Sequence, residues 1–138
     1  MKSIDELILP KDYRYADDHE WAKVEEDKVR VGIDDYAQDQ LQAIVYVELP
    51  EVGAQFQKGE PFGVVESVKA VVDCYMPVGG EITVVNTALV DSPQLVNESP
   101  YEEGWMIEVK PTDLSEMDTL YTSESIKEEI LKRMEEGK

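Results

Sequence analysis

The stretch Phe62–Val78 reads FGVVESVKAVVDCYMPV, with Lys69 near its middle. Apolar residues fill most of it, and its only charges are Glu66, Lys69 and Asp73. Val64, Val65, Val68, Val71 and Val72 are β-branched and suit a pleated, half-buried surface. An ammonium group has no place inside such a run, because burying an unpaired charge is very costly. The pattern therefore predicts two strands joined by a tight turn, with Val68-Lys69 at the tip and the amine held in water. The chain reads as a scaffold that presents one amine.

The flanks extend this picture. Residues 58–66 read KGEPFGVVE and residues 79–86 read GGEITVVN. Each runs through a turn and Gly-Glu into a strand containing Val-Val. The repeat is too short for a solenoid and suits two similar halves packed around a pseudo-twofold axis, with the lysine hairpin at one end.

With 138 residues and 42% hydrophobic side chains, the chain is expected to form one domain, residues 1–138, whose core needs no metal or disulfide. A single cysteine, Cys74, excludes an intramolecular disulfide and reads as a small core residue. The net charge is −18, from 31 acidic against 13 basic residues. Nucleic acid and anionic membranes call for the opposite balance; basic docking surfaces on partners match it, and solubility alone explains it equally well. No apolar run approaches the ~20 residues that span a bilayer. The start, Met1-Lys-Ser-Ile-Asp-Glu, is neither a signal nor a transit peptide. A cytoplasmic protein is expected, with a mature mitochondrial-matrix form as the second option.

Taken in order, residues 1–12 form a weakly patterned lead-in with Ile4, Leu7, Ile8 and Leu9 available for packing. Tyr13–Val24 reads as an extended segment, and 25–28 as a polar turn. Val29, Val31 and Ile33 alternate with Arg30 and Gly32 as a half-buried strand. Asp34 caps a helix from Asp35 to about Gln42, with Ala37 and Leu41 on one face. Residues 43–49 form a strand ended by Pro50. Residues 87–103 read as a long connection, and Trp105–Val109 as a closing strand ended by Pro111. Met117, Leu120 and Tyr121 have helical spacing behind an Asp113-x-x-Glu116 cap. Ser125-x-x-Glu128 reads as a capping box for a last helix, with Ile126, Ile130 and Met134 as its buried stripe. Lys132 and Arg133 suit its C-terminal dipole. The core spans about 13–111 and the C-terminal helical segment about 113–136.

Several motifs converge on one family. Glu66-Ser67-Val68-Lys69-Ala70, with Gly63 before it and Pro77-x-Gly-Gly-Glu81 after it, resembles the lipoyl-lysine hairpin of glycine cleavage system H proteins. Further matches follow in order: His19-Glu20-Trp21, Val31–Gln38 (VGIDDYAQ) and Val45–Pro50 (VYVELP). Val85-Asn86, Leu95-Val96-Asn97 and Pro100–Met106 (PYEEGWM) complete the series. Biotinyl domains place Met on both sides of the lysine, and lipoyl domains of 2-oxoacid dehydrogenases carry Asp-Lys-Ala; Val68-Lys69-Ala70 follows neither.

The resemblance implies a mainly β, barrel-sandwich hybrid fold of the lipoyl/biotinyl type, with a few short peripheral helices including a C-terminal one. It implies a lipoate covalently held as N6-lipoyl-lysine at Lys69, with Glu66, Ser67, Val68 and Ala70 as the recognition hairpin. It also implies a non-catalytic carrier, which takes the aminomethyl group of glycine from a pyridoxal-phosphate (PLP)-dependent glycine decarboxylase to a tetrahydrofolate-dependent aminomethyltransferase. Dihydrolipoyl dehydrogenase reoxidises the arm, and a lipoate-attaching enzyme installs it. Glu20 and Asp73, with Asp18 as a weaker member, are expected to line the cleft that shelters the loaded arm. Carboxylates suit a cationic amine through charge-assisted hydrogen bonds, although any of 31 acids is more often a solvated group. Two alternatives stand beside this reading: a paralogous lipoyl carrier for another route, such as sulfur-compound oxidation, and an unmodified interaction domain.

His19, the only histidine, reads as structural beside Trp21, because no nucleophile-base-acid set accompanies it. One histidine and one cysteine argue against a transition-metal site. The chain is expected to act as a monomer. The family carries a glycine where Gln42 stands, and a smaller, more polar pair where Val71-Val72 stands. If that position needs a positive φ, Gln42 is strained.

Overall fold

A computed structural model describes residues 1–136; the last two residues of the expected domain lie outside the described residues. The strands are β1 (Arg14–Tyr15), β2 (Glu20–Glu25), β3 (Lys28–Ile33), β4 (Ile44–Glu48), β5 (Gln55–Phe56), β6 (Pro61–Ser67), β7 (Val71–Tyr75), β8 (Gly80–Val85) and β9 (Ile107–Pro111). They form two antiparallel sheets, a six-stranded one in the order β1-β2-β3-β9-β8-β5 and a three-stranded one in the order β4-β6-β7. Helices α1 (Asp35–Leu41), α2 (Ala88–Asp91), α3 (Leu95–Glu98) and α4 (Ser123–Glu136) lie between and after them. The mainly β sandwich with a C-terminal helix agrees with the sequence reading.

The lysine hairpin forms as expected. Val65 pairs with Val72 on β7 and Val47 on β4, placing one apolar row on the inner face. Tyr46, Glu66 and Val71 form the next row, on the outer face. Phe62 and Val65 both face the core although strict alternation forbids it. The register shift between Pro61 and Gly63 resolves this, since a bulge adds one residue and restores the inward side. Gly63 is required there: a Cβ would run into the Glu48 carbonyl oxygen.

Two apolar clusters hold the chain together. The larger fills the space between the sheets with Val31, Val47, Val65, Cys74, Met76, Ile82 and Val109 among others. The smaller joins Tyr13, Tyr15 and Trp21 to Ile126 and Ile130 of α4, with Ile4, Leu7 and Leu9 packed against them. Tyr13 meets Trp21 edge-on at 5.1 Å between ring centroids, a favoured aromatic geometry. The expected stripe on α4 is therefore the face that docks it. Ile8 points away and is 60% exposed.

Several local expectations are corrected. Tyr13–Val24 is not continuous: His19 takes φ 70°, and its N–H donates to the Ala16 carbonyl at 3.0 Å, so the chain turns between β1 and β2. The 87–103 connection holds the one-turn helices α2 and α3, which bury Leu89 and Val96. The closing strand starts at Ile107 and includes Pro111. Helix α4 starts at Ser123, and its cap is the reciprocal pair Thr122 and Ser125. The Ser125 N–H donates to Thr122 Oγ1 at 3.1 Å and the Thr122 N–H to Ser125 Oγ at 2.8 Å. Asp113 accepts from the Ser115 N–H, whereas Glu116 reaches across to accept from the Gly79 N–H at 2.9 Å. Asp34 caps α1 as expected, accepting from the Ala37 N–H.

Candidate functional site: a lysine tip beside an acidic cleft

Strand β6 ends at Ser67 and β7 begins at Val71, so Val68, Lys69 and Ala70 form the tip. Ser67 staples this turn. Its N–H donates to the Ala70 carbonyl at 2.8 Å, and its Oγ accepts from the N–H groups of Lys69 at 3.0 Å and Ala70 at 3.1 Å. A serine hydroxyl bonding backbone two and three residues on is a local turn device. Val68 and Val71 stay 67% and 64% exposed beside an exposed Lys69. No ion pair of Lys69 occurs among the described residues.

The tip is docked at its base. The Val68 N–H donates to the Ala43 carbonyl at 3.1 Å, tying it to the join between α1 and β4. Asn97 clamps that join, its Oδ1 accepting from the Ile44 N–H at 2.9 Å and its Nδ2 donating to the Gln42 carbonyl at 2.8 Å. Gln42 has φ 63° and ψ −149°, a region occupied almost only by glycine. The strain expected at this position is present.

Ser67 and Ala70 are a bonded pair, so β7 alternates from there: Val72 and Cys74 bond to β6, while Val71 and Asp73 turn their backbone groups outward. The Tyr75 N–H belongs to the outward set and donates to Glu20 Oε2 at 3.2 Å. This free edge of β7 forms one wall of a cleft of about 520 Å³. The opposite wall comes from the end of β3, α1 and the start of β2, with Ile33, Tyr36 and Leu41 supplying apolar surface. The cleft begins at Val71, two residues beyond Lys69.

All three acids expected in the cleft line it: Asp18, Glu20 and Asp73. Asp18 and Asp73 are exposed at its rim. Glu20 is 2% exposed, and its Oε1 is buried without a hydrogen-bond partner. Burial raises its pKa from 4.5 to about 8, opposed by the Tyr75 N–H and assisted by Asp18. Cys74 lies at the cleft floor, 1% exposed, its thiol pushed up chiefly by burial and then by Glu20 and Asp73. It is an inert core group, as expected. Glu66 lies outside the cleft, on the outer face between Tyr46 and Val71.

His19 is held differently from expectation. Trp21 turns to the aromatic cluster and donates to the Pro100 carbonyl at 2.8 Å. His19 Nδ1 meets Asp34 Oδ2 at 2.9 Å, its Nε2 meets the Arg133 guanidinium, and its ring lies 4.6 Å from that of Tyr36. Arg133 stands in the last turn of α4, as expected, and from there also reaches a turn far along the chain. Sequence reasoning missed Arg133, Asn97 and the apolar lining of the cleft; only the motif containing Asn97 carried a signal. Among the described residues no group of three or more His, Cys, Asp or Glu side chains is placed to hold a metal ion. No described helix is long and apolar enough to cross a membrane.

The glycine cleavage H-protein family model matches residues 13–133. A glycine cleavage system H protein from Geobacillus sp. (strain WCH70) is 55% identical over 124 residues, covering 90% of this chain and 98% of the relative. That of Bacillus subtilis (strain 168) is 55% identical over 122 residues, covering 88% and 96%. The crystal structure of a glycine cleavage system H protein from Mycobacterium marinum superposes with a TM-score of 0.78 at 41% identity, covering 85% of this chain and 94% of that one. The ordered motifs, the two-sheet sandwich and these matches place the chain in the glycine cleavage H-protein family.

Proposed function

We propose that the chain is the lipoyl carrier of a glycine cleavage system, with Lys69 as the attachment site. The observation that carries this is an exposed amine on a stapled hairpin tip, opening beside a cleft whose buried acid, Glu20, has an unpartnered oxygen. The site fits an amide-linked arm: Lys69 Nζ is available for acylation, and apolar Ile33, Tyr36 and Leu41 suit a hydrocarbon chain. When attached, the lipoyl group supplies a dithiolane that accepts the aminomethyl group from a PLP-dependent glycine decarboxylase and yields it to a tetrahydrofolate-dependent aminomethyltransferase, before a dihydrolipoyl dehydrogenase restores the disulfide.

The chain's own residues then have separable roles. Ser67 fixes the turn so that the amine points one way, and Val68 N–H anchors the tip to Ala43. Glu66 and the exposed Val68, Ala70 and Val71 form the surface that a lipoate-attaching enzyme meets. Glu20 offers a buried carboxyl to a cationic amine, for which a charge-assisted hydrogen bond is strong in a water-poor site; Asp73 and Asp18 add negative potential at the rim. In this reading the chain presents the arm and leaves the bond-making steps to its partners. Tethering raises the local concentration of the arm to the millimolar range at each partner. The bacterial relatives support a cytoplasmic setting.

The test is reconstituted glycine–bicarbonate exchange with the decarboxylase and the lipoylated chain. Stimulation that is lost in Lys69→Ala supports the reading, and no stimulation by the lipoylated parent contradicts it. The strained Gln42 and the exposed Val71 beside the lysine favour, as the second reading, a carrier of the same fold for another lipoate-dependent route. A lipoylated parent inactive in this exchange is the outcome that selects it.

A further inference from the structure

The cleft holds three acids in its walls, Asp18, Glu20 and Asp73, and a fourth, Asp34, behind His19, yet among the described residues no Lys or Arg lines it. Among the described residues the one lining group able to become a resident cation is His19, which immediately precedes Glu20. A protonated His19 would give those acids a permanent counter-ion. From the far end of the chain a guanidinium is set against this ring. Arg133, on the last turn of α4, directs Nη1 at His19 Nε2. A guanidinium can only donate, so the contact suits an Nε2 that accepts and carries no proton. In that tautomer Nδ1 carries the ring proton and faces Asp34 Oδ2 at 2.9 Å.

We propose that Arg133 is a positioning residue that holds His19 in the uncharged Nδ1–H form, leaving the cleft without a resident cation so that its acids select a cationic occupant. Arg133 brings no charge of its own into the cleft, because its guanidinium is matched outside it. Nη2 meets Asp17 Oδ1 at 3.2 Å, Nη1 donates to the Asp17 carbonyl at 3.1 Å, and Nε lies 3.5 Å from Glu129 Oε1. Among the described residues the ionisable groups around His19 are Asp17, Asp18 and Glu20 on its own turn and strand, Asp34 and Tyr36 at the start of α1, Arg133 on α4 with Glu129 behind it, and Cys74 and Asp73 across the cleft. The same contacts set the wall mechanically. Asp34 Oδ1 accepts from the Ala37 N–H at 2.8 Å and the Asp34 N–H donates to the His19 carbonyl at 2.8 Å. The ring of His19, placed against Tyr36, therefore locks the N-terminus of α1. Its left-handed φ of 70°, unfavourable for a residue with a Cβ, is held by this set of bonds.

This role extends the arm-cleft reading, but its test does not require the arm. His19 is the only histidine, so the imidazole nitrogen-15 signals of the whole chain report it alone. In the unlipoylated parent at neutral pH the signals of an Nδ1–H tautomer are expected. Arg133→Ala should convert at least half of the ring to the Nε2–H or doubly protonated form and speed exchange of the Ala37 N–H about tenfold. Arg133→Lys, which restores a donor, should recover the parent pattern, and Asp17→Asn, which leaves the donor in place, should not disturb it. A parent ring already doubly protonated, or an Arg133→Ala spectrum identical to the parent with α4 still helical by circular dichroism, would overturn the proposal. If Arg133→Ala loses α4, Arg133→Lys decides: a shifted tautomer on an intact helix overturns it, and a retained one supports it. Failure of the arm reading shows separately, as no acylation of Lys69.

Discussion

Replacing Glu20 by Gln isolates the cost of placing an acid in the cleft floor. The parent carboxyl is 2% exposed, one oxygen has no partner, and the other accepts from the Tyr75 N–H. Burial raises its pKa from 4.5 to about 8. Between those values the folded chain binds a proton that the unfolded chain has lost, so the free energy of unfolding falls as pH rises. The loss is absent below about pH 4.5 and complete above about pH 8. At about 1.4 kcal/mol per pH unit the window corresponds to about 5 kcal/mol, of which water admitted by the open cleft relieves part. Glutamine keeps the shape and an acceptor for Tyr75 but never ionises. Glu20→Gln should therefore exceed the parent's stability by no more than about 1 kcal/mol at pH 5 and by several kcal/mol at pH 9. Urea unfolding at pH 5, 7 and 9 measures this, with equal m-values showing that the same surface is exposed. A difference that stays constant across the series would refute the assignment of a buried, uncompensated acid.

Two further substitutions test the lysine tip and its support. Gln42→Gly relieves a backbone conformation worth about 1–3 kcal/mol against a glycine entropy cost of about 0.5–1 kcal/mol, so thermal unfolding should show a net gain of about 1 kcal/mol; Gln42→Ala, which keeps the strain and loses the side chain's bond to Asp39, should show none. Ser67→Ala removes the acceptor shared by two tip N–H groups, which should cost about 1–2 kcal/mol and slow enzymatic acylation of Lys69, while Ser67→Thr should retain both stability and rate.

The hairpin was legible because two signals coincide in Phe62–Val78: β-branched alternation and a lone ammonium that must leave the apolar run. The cap at Asp34 was legible for a similar reason, a capping residue set against the Ala37 and Leu41 face. Helices α2 and α3 were not, since four residues hold barely one turn and no 3.6-residue period can register. The start of α4 was misplaced because Thr122, Ser123 and Ser125 offer overlapping hydroxyl caps, and the one that pairs reciprocally depends on where the helix docks. The left-handed His19 left no mark in composition; it follows from bonds to Asp34 and Arg133 that only tertiary structure brings together. Glu20 and Asp73 belong to separate strands, and their shared cleft was anticipated through the family motifs and not through spacing. Gln42 shows the reverse case, where a departure from the family glycine pointed correctly to a strained φ.

The central claim is that Lys69 is the single acylated amine. Intact-mass and peptide mass spectrometry of the chain, produced with lipoate and a competent lipoate-attaching enzyme, tests it beside a Lys69→Ala control. The account predicts one lipoyl increment, located on the peptide containing Lys69 and absent from the control. An unmodified Lys69 under those conditions, or an increment on another lysine, would contradict it and leave the fold as an interaction domain.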